Sequence, residues 1–424
     1  MALSATTEFD VRTTGDDNNG GAFNVGASGT DYSQQDAAQL TYTDLVIGGT
    51  NTQLTSAAFP FTAAHVGNVI NITGGTGFTT GRYQVNSVSA GVATMDRGVG
   101  TASSTGGTGK LGGAMQNVAT ILTGPAGAYT IHVKAGTYSY TSTQAWQGNA
   151  NARTYTIIGY QTTHRDGGTK PLFTTATNSV NLINAGWTEG TVFINLSFSN
   201  TAGTRGVGMY NSVGAWYPTY VIIDCTFDGF THAIGGTGSN ISGYKLIRTQ
   251  IKNCSGNGVY STSAGWMELY GCWIHHCATA VRFDGNLTMW RCVVSNCTSD
   301  GALQTSGTTL CRLFHCDFVS NGSAGFAAVG GWDAKQCLII GCIFYGNTGY
   351  GVRVDTTFNA NFFLYNGYGS NGSGNVNIPT FTAPSGNVTL TANPFTNSAG
   401  GDFSLNSAAG GGLALRNAAW RWRF

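Results

Sequence analysis

The chain of 424 residues is short of charge: Lys, Arg, Asp and Glu together make up 9% of it, and the formal net charge is +1. An ordinary globular chain carries about 25% charged residues. Only three glutamates occur, Glu8, Glu189 and Glu268. No apolar run approaches the ~20 residues that a membrane-spanning helix needs. These shortages exclude whole classes. Nucleic-acid recognition rests on clustered Lys and Arg against phosphate, so no nucleic-acid partner is expected, and no membrane span. Helical repeats rich in Ala, Leu, Glu and Lys are excluded by composition. Disorder is excluded from the other side, because 41% hydrophobic and 12% aromatic residues supply a core. The opening Met1-Ala2-Leu3-Ser4-Ala5 has no basic stretch followed by an apolar run. The expectation is a protein made in a cytoplasm and carried out, if at all, by a route such as host lysis.

What is abundant is glycine, 63 residues, and a repeat. From Tyr220 to Val354 short segments recur that start at Cys225, Thr249, Cys272, Cys292, Cys316 and Cys342, each with an apolar residue two places on. Five places after each start stands Phe230, Cys254, Cys277, Cys297, Asn321 or Asn347. Three places before stands Ile222, Leu246, Leu269, Met289, Leu313 or Ile339. Two places before stands Ile223, Ile247, Tyr270, Trp290, Phe314 or Ile340. Periods of this length signal a solenoid, in which each repeat buries its apolar face only against its neighbours. The units are rich in Val, Ile, Thr, Phe, Gly and Asn, as short strands require. Gly258, Gly301, Gly325 and Gly351 recur at one offset and read as turn punctuation. The fold class expected is all-β: a single-stranded parallel β-helix, right-handed because parallel crossovers nearly always are.

All ten cysteines lie between 225 and 342, in register with the repeat. They read as stacked small apolar residues inside the coil, since free Cys packs as a small hydrophobe.

Four segments are expected. Residues 1–40 form a polar N-terminal arm, and 41–113 a small β-domain for attachment. Residues 114–358 form the β-helix, and 359–424 a closing coil and tail. In the arm, Asp16-Asp17-Asn18-Asn19 has calcium-ligand types but no known loop spacing, and reads as a surface turn. In the small domain, Leu45–Ile47, Val69–Ile72, Tyr83–Val85 and Val92–Met95 read as strands. Thr101 to Gly113 reads as a linker, and Ala114 to Leu122 as a short helix capping the coil. The last residues, Trp420 to Phe424, read as a terminal strand.

Chemistry is hard to find. A glycosidase needs two carboxyls on facing groups about 5 to 10 Å apart. The register mates of Asp224 and Asp228 are Arg248 and Lys252, then Gly271 and His275, so no carboxylate pair stacks there. Asp284, Asp300, Asp317, Asp333 and Asp355 read as solubilising, with an Asp284–Asp300 pairing across columns left open. A lyase needs an acidic cluster beside a base, and only Asp228, Arg248 and Lys252 offer parts of one. Cys272, His275, His276 and Cys277 have zinc-ligand types, but neighbours on a strand point to opposite faces, so outward-facing histidines are expected. Tyr270, Trp290 and Phe314 form one column, read as core or as a subunit contact in preference to a stripe covered by a glycan. No catalytic, cofactor-binding or metal residue is assigned, and no cofactor is expected.

Val133-Lys134-Ala135-Gly136-Thr137-Tyr138 resembles the opening of pectate-lyase-like right-handed β-helices. Asn393-Pro394-Phe395 with Gly401-Asp402-Phe403-Ser404-Leu405 resembles the closing coil of β-helix surface proteins, although Ala408-Ala409-Gly410-Gly411 departs from the usual ending. The whole arrangement looks like β-helix virion proteins of tailed bacteriophages. That resemblance implies a non-enzymatic structural virion protein: a capsid decoration, a fibre or a spike-like component. Its N-terminal region would hold capsid or tail proteins, it would form a homo-oligomer such as a trimer, and it would meet a host-surface glycan. The alternatives are a tailspike-type polysaccharide depolymerase, a hydrolase or a lyase, and a bacterial surface adhesin.

Overall fold

Each repeat read in the sequence is one coil of a parallel β-helix in the computed structural model. The structure describes residues 3–4, 6–122, 128–146, 155–185, 190–210, 219–235, 243–261, 265–305, 310–329, 336–355, 360–378 and 386–417. Glu189, Asp333 and Trp420 to Phe424 lie outside them. The chain divides into two units. One comprises Met1–Tyr138, Ala145–Leu172 and Trp187–Leu196; the other comprises Ser139–Gln144, Phe173–Gly186 and Ser197–Phe424.

In the second unit every coil contributes a strand to each of three parallel faces. The first face runs Thr219–Ile223, Gly243–Ile247, Trp266–Tyr270, Asn286–Trp290, Leu310–Phe314, Gln336–Ile340 and Ala360–Leu364. The pairing is in register throughout: Leu246 faces Leu269, then Met289, Leu313 and Ile339. All five are fully buried. On the second face Phe198, Phe227, Ile251, Ile274, Val294, Phe318, Phe344 and Tyr368 stand in one interior column. The rings stack where they meet, at 4.7 Å between Phe198 and Phe227 and 5.1 Å between Phe318 and Phe344. Like residues stack because adjacent parallel strands bring the same offset together every ~4.8 Å. The coil continues beyond 358: Phe362, Phe363 and Leu364 pair in register with Leu338, Ile339 and Ile340. The Asn- and Gly-rich composition there hides the repeat without breaking it.

The corner between the first two faces explains five of the ten cysteines. One residue at each corner takes the left-handed conformation: Asp224, Arg248, Gly271, Arg291, His315, Gly341 and Tyr365, with φ between 46° and 64°. A side chain there costs about 1–2 kcal/mol, which the pairing on both sides must offset. The next residue turns inward into little space. It is Cys225, Thr249, Cys272, Cys292, Cys316, Cys342 or Asn366. The Sγ–H of Cys316 donates to the Phe314 carbonyl at 3.3 Å, and that of Cys292 to the Trp290 carbonyl at 3.5 Å. Cysteine fits because it is small, apolar and still a weak donor. All ten cysteines are free and buried, and burial pushes the thiols of Cys292 and Cys316 well above the ordinary range.

The recurrent glycines have another cause than turning. A Cβ at Gly258 would lie 2.6 Å from the Ala280 carbonyl oxygen, and one at Gly325 2.8 Å from that of Gly351. They permit close approach of successive coils.

In the first unit a closed barrel is formed by β3 (Leu40–Ile47), β4 (Gln53–Thr55), β5 (Val69–Gly74), β6 (Gly81–Ser89), β7 (Val92–Met95) and β8 (Gly107–Leu111). Its core includes Tyr42, Leu45, Ile70, Val85, Met95 and Leu111. β8 lies in the stretch expected to be a linker. Its Gly-Thr-Gly-Lys-Leu reads as flexible, but the barrel needs a glycine at 109, beside the Asn71 carbonyl and Leu45. The N-terminal segment, expected as an extended arm, holds β1 (Thr7–Val11) and β2 (Ala22–Asn24). β1 pairs in parallel with β9 (Tyr129–Lys134), and Tyr155–Tyr160 pairs on β9's other side. β1 is therefore a rung of the coil. α1 (Val118–Leu122) forms where the helix was expected. The Asp17 carboxylate accepts from the Asn117 backbone N–H and the Thr120 hydroxyl, and Asp16 is paired to Lys110 at 2.5 Å. Both carboxylates are engaged by protein donors.

Candidate functional site

The second corner of the coil, between the second and third faces, builds the candidate site in the second unit. Its left-handed residues are Gly229, Asn253, His276, Asn296, Ser320, Gly346 and Ser370. Because φ is positive, their side chains stand outward at the corner while Cys254, Cys277 and Cys297 turn inward behind them. Around the first of these corners lies a groove of about 640 Å³ lined by Asn200, Thr201, Arg205, Asp228, Asn253 and His276, with Ser199 and Ser255 beside them. Most of the lining residues are polar, and Asp228 is the one carboxylate among those described.

Asp228 is held from two sides. Asn253 donates its Nδ2–H to Oδ1 at 2.7 Å, and Lys252 lies 3.3 Å from Oδ2. The Arg205 guanidinium donates to the Asn253 carbonyl at 2.7 Å. On the next coil the two imidazoles meet: His275 Nδ1 and His276 Nδ1 are 2.7 Å apart. Strand alternation predicted opposite faces for them, but His276 is the left-handed corner residue, so the alternation ends at His275. Burial, with His276 beside it, pushes His275 down to about 4. Trp273 stacks on His275 at 4.1 Å. The thiol of Cys272 turns inside and donates to the Tyr270 carbonyl. The zinc-type set is thus divided between interior and surface.

Among the described residues, three of the coil carboxylates meet protein donors. Asp224 receives both guanidinium donors of Arg248, at 2.8 and 2.7 Å. Asp284 accepts from Thr305, and buried Asp300 accepts the Ala324 backbone N–H at 2.9 Å. The column Tyr270, Trp290, Phe314 faces outward, since Leu269, Met289 and Leu313 fill the interior; Trp290 is 39% exposed.

The first unit holds a cluster that the sequence did not reveal. Asp10 on β1 accepts from Tyr160 Oη at 2.8 Å, from Arg12 Nε at 2.8 Å and from His164 Nε2 at 2.7 Å. Glu8 bonds His132 Nε2 at 2.9 Å and accepts from Arg165 at 3.1 Å. Glu8, His132 and His164 have metal-ligand types within 4.8 Å of one another. The geometry opposes an ion. The His132 and His164 rings stack at 3.7 Å and 5°, so their lone pairs lie in separate parallel planes and do not both aim at one ion. Each carboxylate already faces an arginine. The cluster fastens β1 to the coil. Burial, then His164, pushes the wholly buried His132 down to about 3.

Residues 178–334 match a family model described as right handed beta helix region. No curated protein matches the chain. Among solved structures, the Agl-KA catalytic domain matches with a TM-score of 0.37 and 12% identity, over 80% of this chain; the chain spans 65% of that domain. The catalytic domain of a GH87 α-1,3-glucanase, solved with tetrasaccharides, matches with a TM-score of 0.31 and 11% identity, over 91% of this chain and 97% of that one. These likenesses are of fold.

Proposed function

We propose that the protein engages a polysaccharide in the groove around Asp228, as a tailspike-type β-helix of a bacteriophage particle. The observation that carries this reading is the lining itself. Hydroxyl-rich ligands are held by many neutral donors and acceptors, and Ser199, Asn200, Thr201, Asn253 and Ser255 supply them beside Asp228, Arg205 and His276. Cleavage would rest on Asp228. It is fixed in place by Asn253 and Lys252, and His276 shares the same lining. The hydrolytic form needs a second carboxyl, which a described residue does not place in the groove.

The second reading is a rod that binds without cutting. That single carboxylate favours it. In both readings the barrel and the N-terminal segment serve attachment to the particle, and copies assemble side by side.

The test is incubation of the protein with host capsule, lipopolysaccharide and α-1,3-glucan, followed by assays for reducing ends, unsaturated sugars and retained glycan. New ends that vanish in Asp228→Asn establish a depolymerase. Retention without products, lost in Asn253→Ala, establishes the binding rod. Neither products nor retention sinks the groove reading.

A further inference from the structure

We infer that His276 offers the groove a fixed Nε2–H donor for an oxygen acceptor of the ligand, and not a base, because Gln250 and His275 set its tautomer. That the acceptor is a sugar oxygen rests on the polysaccharide reading above; the tautomer does not. Three side chains on two successive coils stand in file. Gln250 Nε2 lies 3.2 Å from His275 Nε2, and His275 Nδ1 lies 2.7 Å from His276 Nδ1. An amide nitrogen has hydrogens to give and no lone pair to offer, and a neutral imidazole has one N–H and one lone pair. Gln250 therefore donates to His275 Nε2, which leaves that ring's proton on Nδ1. This N–H donates to His276 Nδ1. The proton of the second ring then sits on Nε2, the nitrogen left for the groove that His276 lines. The reverse order would set the Gln250 N–H against a second N–H.

His275 can relay this order because it is held. It is buried, and Trp273 stacks on it at 4.1 Å. The Trp273 Nε1–H donates to Ser295 Oγ at 3.4 Å. The hairpin of Phe395–Asn397 and Asp402–Leu405 closes on the same indole. Its Phe403 ring stands edge-on to Trp273 at 6.2 Å, and a Cβ at Gly401 would come within 2.9 Å of the indole. Phe395 of the hairpin is anchored in a cluster with Val319, Ile343 and Leu415. Lys252 stands in register with His275, and its ammonium turns to Asp228. Burial and a neighbouring cation both disfavour a second proton on His275. A ring that already carries its proton on the nitrogen facing the ligand cannot abstract one there. His276 is therefore suited to hold a hydroxyl or a glycosidic oxygen, and proton abstraction of the lyase kind falls outside its role.

Long-range proton–nitrogen correlation spectra of the full chain, isotope-labelled at histidine and recorded at about pH 8, above the ordinary imidazole range, test this. His275→Asn and His276→Asn assign the two rings; asparagine tolerates the left-handed corner at 276. His275 should carry its proton on Nδ1 and His276 on Nε2. A bare Nε2 on His276 overturns the inference. Gln250→Leu removes the first donor and should let both rings mix tautomers; an unchanged spectrum overturns Gln250 as the positioning residue. Phe403→Ala should mix them less, and no change there overturns the hairpin's part. In the glycan assay above, His276→Asn should weaken retention roughly tenfold, the worth of one good hydrogen bond, and Gln250→Leu by a smaller factor. Retention as in the unaltered protein in His276→Asn overturns the donor role and leaves the groove reading standing. No retention of any glycan overturns the groove reading and the sugar acceptor, while the spectra still decide the tautomer. Unsaturated sugars that vanish in His276→Asn would make His276 the base and overturn the inference. Far-ultraviolet circular dichroism of the variants separates misfolding from lost binding.

Discussion

At the first rung of one unit, Asp10 and His132 are wholly buried among Arg12, Tyr160, His164 and Glu8. In the coils of the other unit, the interior corners bury thiols and then amides. One column runs Phe230, Cys254, Cys277, Cys297, Asn321, Asn347. Asn321 donates Nδ2–H to Asn347 Oδ1 at 2.9 Å, and Asn347 donates to Asn371 Oδ1 at 2.9 Å. The difference lies in what is being fixed. β1 is separated from β9 by the whole barrel in sequence, so a specific, charge-assisted set of partners defines its register. Successive coils are neighbours in sequence, and a weak or neutral donor at most corners suffices.

The largest expected effect breaks the first of these. Asp10→Ala leaves the Arg12 guanidinium, the Tyr160 hydroxyl and His164 without their shared acceptor. It should destabilise the first unit by about 4 kcal/mol. Hydrogen exchange should show protection lost in β1 and β9 and retained around Phe318 and Phe344. Equal loss in both places would mean that the cluster is no local lock.

Acid is the next lever. The His132 pKa is depressed when folded, to about 3 from 6.5, so the folded form favours neutral imidazole. Its contribution is complete above pH 6.5 and is lost as pH falls from 6.5 towards 3. Urea midpoints measured down this range should fall, and His132→Asn should flatten the slope. An unchanged slope would remove His132 from the account. His275, pushed to about 4, gives a smaller loss in the same direction in the second unit.

Within the coils, Asn347→Leu removes the acceptor of both the Asn321 side chain and its backbone N–H, at 2.9 and 3.1 Å. A loss of about 2 kcal/mol is expected, read as a lower denaturation midpoint. Cys292→Ser keeps a donor for the Leu269 and Trp290 carbonyls but buries a hydroxyl in a space fitted to sulfur. About 1 kcal/mol is expected. A Cys292→Ser cost above that of Asn347→Leu would reverse the ranking of thiol and amide corners.

The coils were legible because their period is written in consecutive residues. Cys272, Cys292, Cys316 and Cys342 stand at the same place in their repeats, and Arg248 and Lys252 fall where the register puts them, on Asp224 and Asp228. Three things were not legible. The outward direction of Trp290 depends on which of two adjacent apolar residues, Met289 or Trp290, the corner sends inside. The meeting of His275 and His276 depends on a left-handed residue that a histidine does not announce. β8 was hidden by Gly107 and Gly109, whose small size looks like flexibility until a barrel closes over it.

The sequence by itself determined that like stacks on like: the repeat, its all-β character and its interior columns, cysteines among them, follow from short-range order in the chain. Only the tertiary structure decided that Thr7–Val11 is a rung, that Asp10 gathers Arg12, Tyr160 and His164, and that Asn200, Arg205, Asp228 and His276 share one groove. Those residues come together through closures of many tens of residues or through a change of hand at a corner, and neither leaves a periodic mark in the sequence.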